Sequence, residues 1–408
     1  MKAVVFHDIG DIRLDTVKDP TIKDPTDAIL RITASAICGT DLHMIRGTIP
    51  GMKSGRILGH EAVGVIEEVG KNVRNLKPGD RVVVGSTIGC GNCSYCRAGY
   101  YSQCDNANPN APSTAFFGGP ESAGGFDGFQ AEYARIPFAH VGAVKLPEEV
   151  TDDEAILLSD IFPTGYMAAE LAEPAPGRTV AVFGCGPVGQ FAIASLKLMD
   201  VGRIIAIDTI PSRLEMAREQ GAECIDYNAD DPVQAIKDLT GGIGVDRAID
   251  AVGVDANMPH EGPGAKKAKK EESDYKADQK KVAPKTDPHN GNWEPGDAPS
   301  IVLQWAVEAL AKAGTLSIVG VYPETLKTFP IGAAMFKNLT LNMGNCNHRK
   351  YIPHLVELVR ENAIDPTRIL THTGPLAGAI DAYKNFDKRE PGWIKVMLEP
   401  STEPAIAA

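Results

Sequence analysis

The sequence predicts an α/β chain in two domains: a β-rich, barrel-like domain and a domain built on a doubly wound parallel sheet. Three observations predict it. At 408 residues the chain is longer than one ordinary hydrophobic core serves. Residues 1–150 alternate short β-branched runs with Gly, Pro and Asp, the pattern of many short strands. From Thr179 onward strands alternate with helical stretches, which requires parallel strands with helices packed on the sheet faces.

Taken in order, A-V-V-F at 3–6, A-I-L-R-I-T at 28–33, A-V-G-V-I-E-E-V-G at 62–70 and D-R-V-V-V at 80–84 supply strands of the first domain. Pro78 and Gly79 set the turn that delivers the last of them. The second domain opens with T-V-A-V-F-G at 179–184 and an Ala/Leu-rich helix to about Met199. Five further strands, at 203–208, 224–227, 245–253, 315–321 and 339–344, complete a sheet of six, with helices expected over 212–220, 232–239 and 301–312. Two helices and a last strand, W-I-K-V-M-L, fill 350–398 and return to the first domain, because the second sheet already has its strands. Residues 399–408 read as a frayed tail.

Residues 254–300 interrupt this pattern. They are dense in Lys, Glu, Asp, Pro and Gly, include K-K-A-K-K-E-E, and hold few bulky apolar side chains besides Tyr275 and Trp293. One reading is a solvated, partly disordered insertion. The other starts from its position at the carboxyl end of the fourth strand, which lies beside the first at the switch point of such a sheet. There it would form a lid, anchored by Tyr275 and Trp293.

Composition excludes several classes of partner. A formal net charge of −12 argues against nucleic acid. No apolar run approaches the ~20 residues that span a bilayer, and M-K-A-V-V-F-H-D-I-G reads as a first strand rather than a signal peptide. The expectation is a cytoplasmic protein without a membrane partner. Of eight cysteines, four crowd into 90–104, which points to thiolates on a metal rather than to disulfides.

Three constellations carry chemistry. Gly184-Cys185-Gly186-Pro187-Val188-Gly189 follows a strand and opens a helix, satisfying the dinucleotide fingerprint G-x-G-x-x-G. Asp208 ends the next strand, about 20 residues on, where a carboxylate binds ribose hydroxyls and repels a 2′-phosphate; this favours NAD over NADP. Arg213, nearby, either stacks on adenine or partly rescues a phosphate. An insertion at 254–300 would then cover the cofactor. Cys90, Cys93, Cys96 and Cys104 give C-x-x-C-x-x-C-x7-C, four thiolates that close a tetrahedral zinc site and leave no open position. The rival, an iron–sulfur cluster, has a shorter last gap followed by Pro, where this chain has Asp105. Cys38 and His60 are candidate ligands of a second, catalytic zinc, with Thr40 and His43 placed to move a proton; a buried Cys beside a core His is the alternative. Cys185, Cys224 and Cys346, and His7, His140, His289, His348, His354 and His372, read as structural.

Together these residues resemble the zinc-dependent medium-chain alcohol dehydrogenases. C-G-T-D-L-H, G-H-E-A-V-G, the four-cysteine lobe, L-S-D-I-F-P-T-G-Y and G-C-G-P-V-G occur in family order, and the likeness covers nearly all of the chain except 254–300. L-S-D-I-F-P-T-G-Y at 158–166 is most similar to the glutathione-independent formaldehyde dehydrogenases, which have Asp where many alcohol dehydrogenases place a second cysteine ligand. The resemblance implies a GroES-like catalytic domain (1–165 and 345–398, with a structural-zinc lobe at 88–106) and a Rossmann NAD-binding domain (166–344, carrying the insertion). It implies that Cys38, His60 and Asp160 hold the catalytic zinc with a fourth position open, one zinc of two per chain. Asp41 then orients the imidazole of His60. Glu61 either approaches the metal or pairs in a buried ion pair, and Lys395 meets the cofactor pyrophosphate. A homo-oligomer is implied, a tetramer before a dimer. Two positions depart from the pattern: Gly39 stands where alcohol dehydrogenases often have a phosphate-binding Arg, and Met167 where formaldehyde-oxidising relatives have His.

The implied reaction is oxidation of a small alcohol, or of formaldehyde as its geminal-diol hydrate, by hydride transfer to the nicotinamide. Thr40 and His43, with the cofactor ribose between them, carry the proton to solvent. A polyol or amino-alcohol dehydrogenase of the same superfamily is the alternative. A non-catalytic NAD-binding redox sensor is a remote one, since Cys38, His60 and Asp160 are all present.

Overall fold

A computed structural model of the chain describes residues 1–109 and 113–400. Its contacts divide it into two compact units: residues 1–163, 287–293 and 346 onward, and residues 164–286 and 294–345.

The first unit is β-rich. Strands β1 (Lys2–Asp8), β2 (Asp11–Thr16) and β3 (Ala28–Ile37) lead into helix α1 (Gly39–Ile45) and strands β4 (Arg56–Ile57), β5 (Ala62–Val69) and β6 (Arg81–Val84). The short helix α2 (Ser94–Arg97) lies in the cysteine lobe, followed by β7 (Tyr133–Ile136), α3 (Ala139–Gly142), β8 (Ala143–Lys145) and α4 (Asp152–Leu157). Helix α5 (Ile161–Leu171) begins in this unit and ends in the next.

The second unit has a six-stranded parallel sheet. In chain order its elements are β9 (Thr179–Phe183), α6 (Pro187–Leu198), β10 (Arg203–Asp208), α7 (Pro211–Glu219), β11 (Glu223–Asp226), α8 (Pro232–Leu239), β12 (Val245–Asp250), α9 (Gly262–Val282), α10 (Ile301–Ala309), β13 (Leu310–Ile318), α11 (Ile331–Phe336) and β14 (Thr340–Met343). The strand order is β11-β10-β9-β12-β13-β14, so the first and fourth strands lie side by side at the switch point. T-V-A-V-F and R-I-I-A-I-D are buried almost throughout because helices cover both faces of the sheet. The helix expected over 301–312 stops at Ala309. Pairing with β12 takes the chain into β13 five residues earlier than the apolar run suggests, with Ala313 at φ +57° inside an irregular stretch.

The chain then returns to the first unit through α12 (His348–Arg360), β15 (Leu370–Pro375), α13 (Ala379–Asp387) and β16 (Lys395–Glu399). There the main sheet runs β15-β16-β3-β5-β6-β8, with β7 on β3, and β2-β1-β4 form a smaller one. Strand β15, parallel to β16, is absent from the sequence-based expectation; L-T-H-T-G-P lacks alternation and owes its conformation to its neighbour. Glu399, expected to open the tail, closes β16, and residues 401–408 of that tail lie outside the described residues. No helix among the described residues is long and apolar enough to cross a membrane.

The insertion corrects the expectation of partial disorder. Its largest element is α9, a helix of 21 residues whose charged faces surround one buried stripe of Ala268, Tyr275, Asp278 and Val282. The Tyr275 hydroxyl, at the end of a ring that is 2% exposed, donates to Glu271 or to Gln304 of α10. Asp278 accepts from Ser300 and Thr328. Few apolar residues suffice here because they recur on one helical face. Residues 287–293 instead join the first unit, where Asn290-Gly291 forms a two-residue hairpin turn (φ +53° and +78°) closed by paired hydrogen bonds between His289 and Asn292. Trp293 sits in a core with Leu376, Tyr383 and Phe386.

Candidate active site

Cys38 ends β3 and is the residue from which α1 starts; the amide of Cys38 donates to Asp41 Oδ2 at 3.0 Å. The other oxygen of Asp41 lies 3.0 Å from His60 Nδ1, so one carboxylate ties the helix start to the imidazole and leaves Nε2 facing away from it. Asp160, just before α5, completes the group: its Oδ2 is 3.6 Å from Cys38 Sγ and 3.4 Å from His60 Nε2. Cys38, His60, Glu61 and Asp160 each turn one ligand atom into a cluster within 4.8 Å of one another, all buried. A tetrahedral zinc with bonds of about 2.0–2.3 Å separates its ligand atoms by roughly 3.3–3.8 Å, and the Cys38–Asp160 and His60–Asp160 distances fall in that range.

The electrostatics point the same way. His60 Nε2 and Glu61 Oε2 are buried without a hydrogen-bond partner, a costly state that a cation relieves. Burial raises the Cys38 thiol. Burial disfavours a charged ring at His60, yet Asp41 and the Cys38 sulfur prevail and raise it well above its ordinary value. Burial also opposes ionisation of Asp160, but the hydrogen bond from His348 and the His60 ring beside it hold it well below the usual carboxylate range. A sulfur, an imidazole and a carboxylate competing for protons in one buried volume form a donor set suited to zinc.

Glu61 is both things the sequence left open. Burial lifts it to about 6 while Lys395 pulls it down; Oε1 takes the Lys395 ammonium, Oε2 has no hydrogen-bond partner, and one of the two oxygens lies in the cluster. Lys395 is therefore corrected. It is fully buried, bound to Glu61 and, at 3.0 Å, to the carbonyl of Ile37, and has no free face for a pyrophosphate. His348, read from the sequence as merely structural, is corrected too: its Nε2 stands 2.7 Å from Asp160 Oδ1, which also accepts from Ser86 at 2.9 Å. No local spacing signals this, since 188 residues separate His348 from Asp160. Thr40 and His43 lie one turn apart on α1, His43 buried and Thr40 partly so. An ideal Cβ at Gly39 would meet nothing within 4 Å, so a side chain there is missing for no steric reason.

The second cluster gathers Cys90, Cys93, Cys96 and Cys104, all unpaired by disulfides. Amides of Cys93, Cys96 and Cys90 point at the sulfurs of Cys90, Cys93 and Cys104 at 3.3, 3.4 and 3.2 Å. For Cys93 burial is outweighed by such donors, which lower its thiol to about 7. The group fits a four-thiolate metal with no open position.

In the second unit Gly186 caps the N-terminus of α6, Pro187 occupies its first turn and Val188 follows. An ideal Cβ on Gly189 would lie 1.8 Å from the carbonyl of Gly184, so only glycine permits this approach of helix to strand. At Gly186 the same atom would meet only Arg213, at 3.7 Å. Asp208 ends β10, and its carboxylate accepts from the amides of Cys185, Thr209 and Ile210.

Residues 24–148 match the family profile described as "Alcohol dehydrogenase GroES-like domain", and residues 187–260 match "Zinc-binding dehydrogenase". An uncharacterized zinc-type alcohol dehydrogenase-like protein, AdhB of Bacillus subtilis, is 36% identical over 98% of this chain and its own whole length. A glutathione-independent formaldehyde dehydrogenase of Pseudomonas aeruginosa is 38% identical over 62% of this chain and 66% of its own. Among solved structures, the alcohol dehydrogenase TADH from Thermus sp. ATN1 superposes with a TM-score of 0.80 at 32% identity, covering 98% of this chain and 100% of that one.

Proposed function

We propose that this chain, which belongs to the zinc-type medium-chain alcohol dehydrogenase family, oxidises an alcohol carbon by passing hydride to NAD. The observation that carries the reading is the convergence of Cys38, His60 and Asp160, from three distant segments, on one buried point where His60 Nε2 has no hydrogen-bond partner.

Zinc held there supplies Lewis acidity that lowers the pKa of a substrate hydroxyl, and bound NAD supplies the hydride acceptor. The residues of the chain do the rest. Asp41 keeps the imidazole of His60 aimed at the metal position. Thr40 would take the substrate proton at its hydroxyl oxygen while giving up its own, and His43, last in the path, would release a proton to solvent. Asp208 binds the adenosine ribose and disfavours a 2′-phosphate. Formaldehyde hydrate suits the same site, and two observations support it as substrate: Asp160 as third ligand in L-S-D-I-F-P-T-G-Y, and the partial likeness to a formaldehyde dehydrogenase. The four-cysteine cluster is a structural zinc site. Cytoplasmic location and a homotetramer complete the proposal.

The test is metal content together with turnover. The wild type should hold two zincs and reduce NAD, more readily than NADP, with formaldehyde or short primary alcohols; diols and amino alcohols in the same panel address the alternative. Asp160→Ala should retain the four-cysteine zinc alone, and two zincs in that variant would refute the ligand assignment. Thr40→Ala should lower turnover about 100-fold or more while still binding NAD; unchanged turnover would remove Thr40 from the proton path.

A further inference from the structure

A carboxylate can grip a metal through one oxygen or through both. The choice sets the coordination number and whether a position remains for substrate. In this chain the two oxygens of Asp160 have different surroundings. Oδ2 faces Cys38 and His60; Oδ1 faces away and accepts from Ser86 Oγ at 2.9 Å and from His348 Nε2 at 2.7 Å. Both donors are buried, Ser86 4% and His348 2% exposed.

The donors are themselves held. The Thr87 hydroxyl donates to the carbonyl of Cys346 at 3.1 Å, so toward His348 Nδ1, 3.0 Å away, it can only accept. The ring is thus held between Thr87, at Nδ1, and Asp160, at Nε2. His348 opens α12, and Gly85 makes room for it: a Cβ on Gly85 would lie 2.8 Å from the Cβ of His348. Four residues from two segments, Gly85, Ser86 and Thr87 with His348, thus form a cradle behind one carboxylate oxygen.

We propose that His348, together with Ser86, holds Asp160 to a single metal-facing oxygen, making His348 a positioning residue for the catalytic metal. The inference rests on the proposed zinc site. With both donors in place, Oδ1 is occupied and its carboxylate plane is fixed, so the metal keeps a fourth position for substrate. Without them, Oδ1 is free to swing onto the metal and close that position, or the ligand is lost.

The experiment compares wild type, His348→Leu, His348→Gln and Ser86→Ala as full-length proteins, with the four-cysteine metal as an internal reference. Zinc retained after dialysis against graded chelator is measured, along with the visible spectrum of protein reloaded with cobalt(II), whose band intensity falls as coordination number rises. His348→Leu should hold the catalytic metal about 10- to 100-fold more weakly, with weaker cobalt bands, while the reference metal stays put. His348→Gln, which keeps a donor, should restore both readouts toward wild type. Ser86→Ala keeps the histidine and should show a smaller loss, which keeps the test decisive if His348→Leu does not fold. Wild-type retention and an unchanged spectrum in folded His348→Leu, or in Ser86→Ala where His348→Leu fails to fold, would overturn the inference. A wild type holding only the four-cysteine metal would instead overturn the functional reading, and this inference with it.

Discussion

Lys395 and Glu61 form an ion pair with no exposed surface, and the pair shows how strongly surroundings redefine a residue. A lysine near the end of a last strand reads as a cation for a phosphate; buried beside a carboxylate and a carbonyl, it instead pairs with Glu61 behind Cys38, His60 and Asp160. Asp250 is a second residue whose behaviour follows from burial. It ends β12, accepts from the Tyr322 hydroxyl at 2.6 Å and from the amides of Val252 and Gly253, and yet burial raises its carboxyl above the ordinary 3.8. A group with a pKa higher folded than unfolded contributes stability that is complete below the unfolded value and is lost as pH rises through the folded one. The melting temperature of Asp250→Asn should therefore gain on wild type as pH is raised from about 4 toward neutrality; parallel curves would show that Asp250 titrates alike in both states.

Among the elements, the segment 287–293 has consequences out of proportion to its length. The backbone amide of Trp293 and the side-chain Nδ2 of Asn292 both donate to Asp387 Oδ2, while Asp387 Oδ1 accepts from Arg46, the residue that ends α1. Helix α1 carries Thr40 and His43, so the hairpin turn at Asn290-Gly291 and the C-terminal helix α13 are joined to the proposed proton path through one buried carboxylate. Asp387→Ala should cost about 3–5 kcal/mol in the stability of the first unit, as breaking a buried ion pair does, measured by denaturant unfolding followed by tryptophan fluorescence. A loss under 1 kcal/mol would mean that Asp387 adds little to packing. Helix α9 teaches a related lesson: its composition reads as disordered, but Ala268, Tyr275 and Val282 recur on one face and dock on their own unit, Val282 against Val254 and Ala283. Tyr275 faces α10 within its own unit, whereas Trp293 belongs to the first unit.

At the scale of the whole molecule, an exposed apolar region bears on the proposed oligomer. Phe336, Met335 and Ile331 of α11 are 93%, 77% and 64% exposed, and Met343, on the edge strand β14, is 60% exposed. Such a row beside a strand with one open hydrogen-bonding edge is what a second copy of the chain would cover. The wild type should elute at a multiple of 43.5 kDa, and Phe336→Asp with Met343→Asp should lower that multiple by light scattering; an unchanged mass would place the interface elsewhere.

Taken by itself, the sequence determined the fold class, the six strands of the second sheet with the fourth beside the first, the glycine turn with Asp208 after it, and the four-cysteine cluster. These are legible because each is local: strand and helix periods, a turn that only glycine permits, thiolates within one loop of each other. The resemblance it carried also named Cys38, His60 and Asp160 as ligands of one metal. What only the tertiary structure decided depends on residues far apart in the chain. It brought those three side chains within reach of one another. It placed His348 and Ser86 behind Asp160, spent Lys395 on Glu61, and drew residues 287–293 away from the insertion into the first unit. The physical reason is the same in each case. Burial removes water as a partner, so every buried charge and hydrogen-bonding group must find its complement in the fold, and which residue supplies it is settled by three-dimensional proximity.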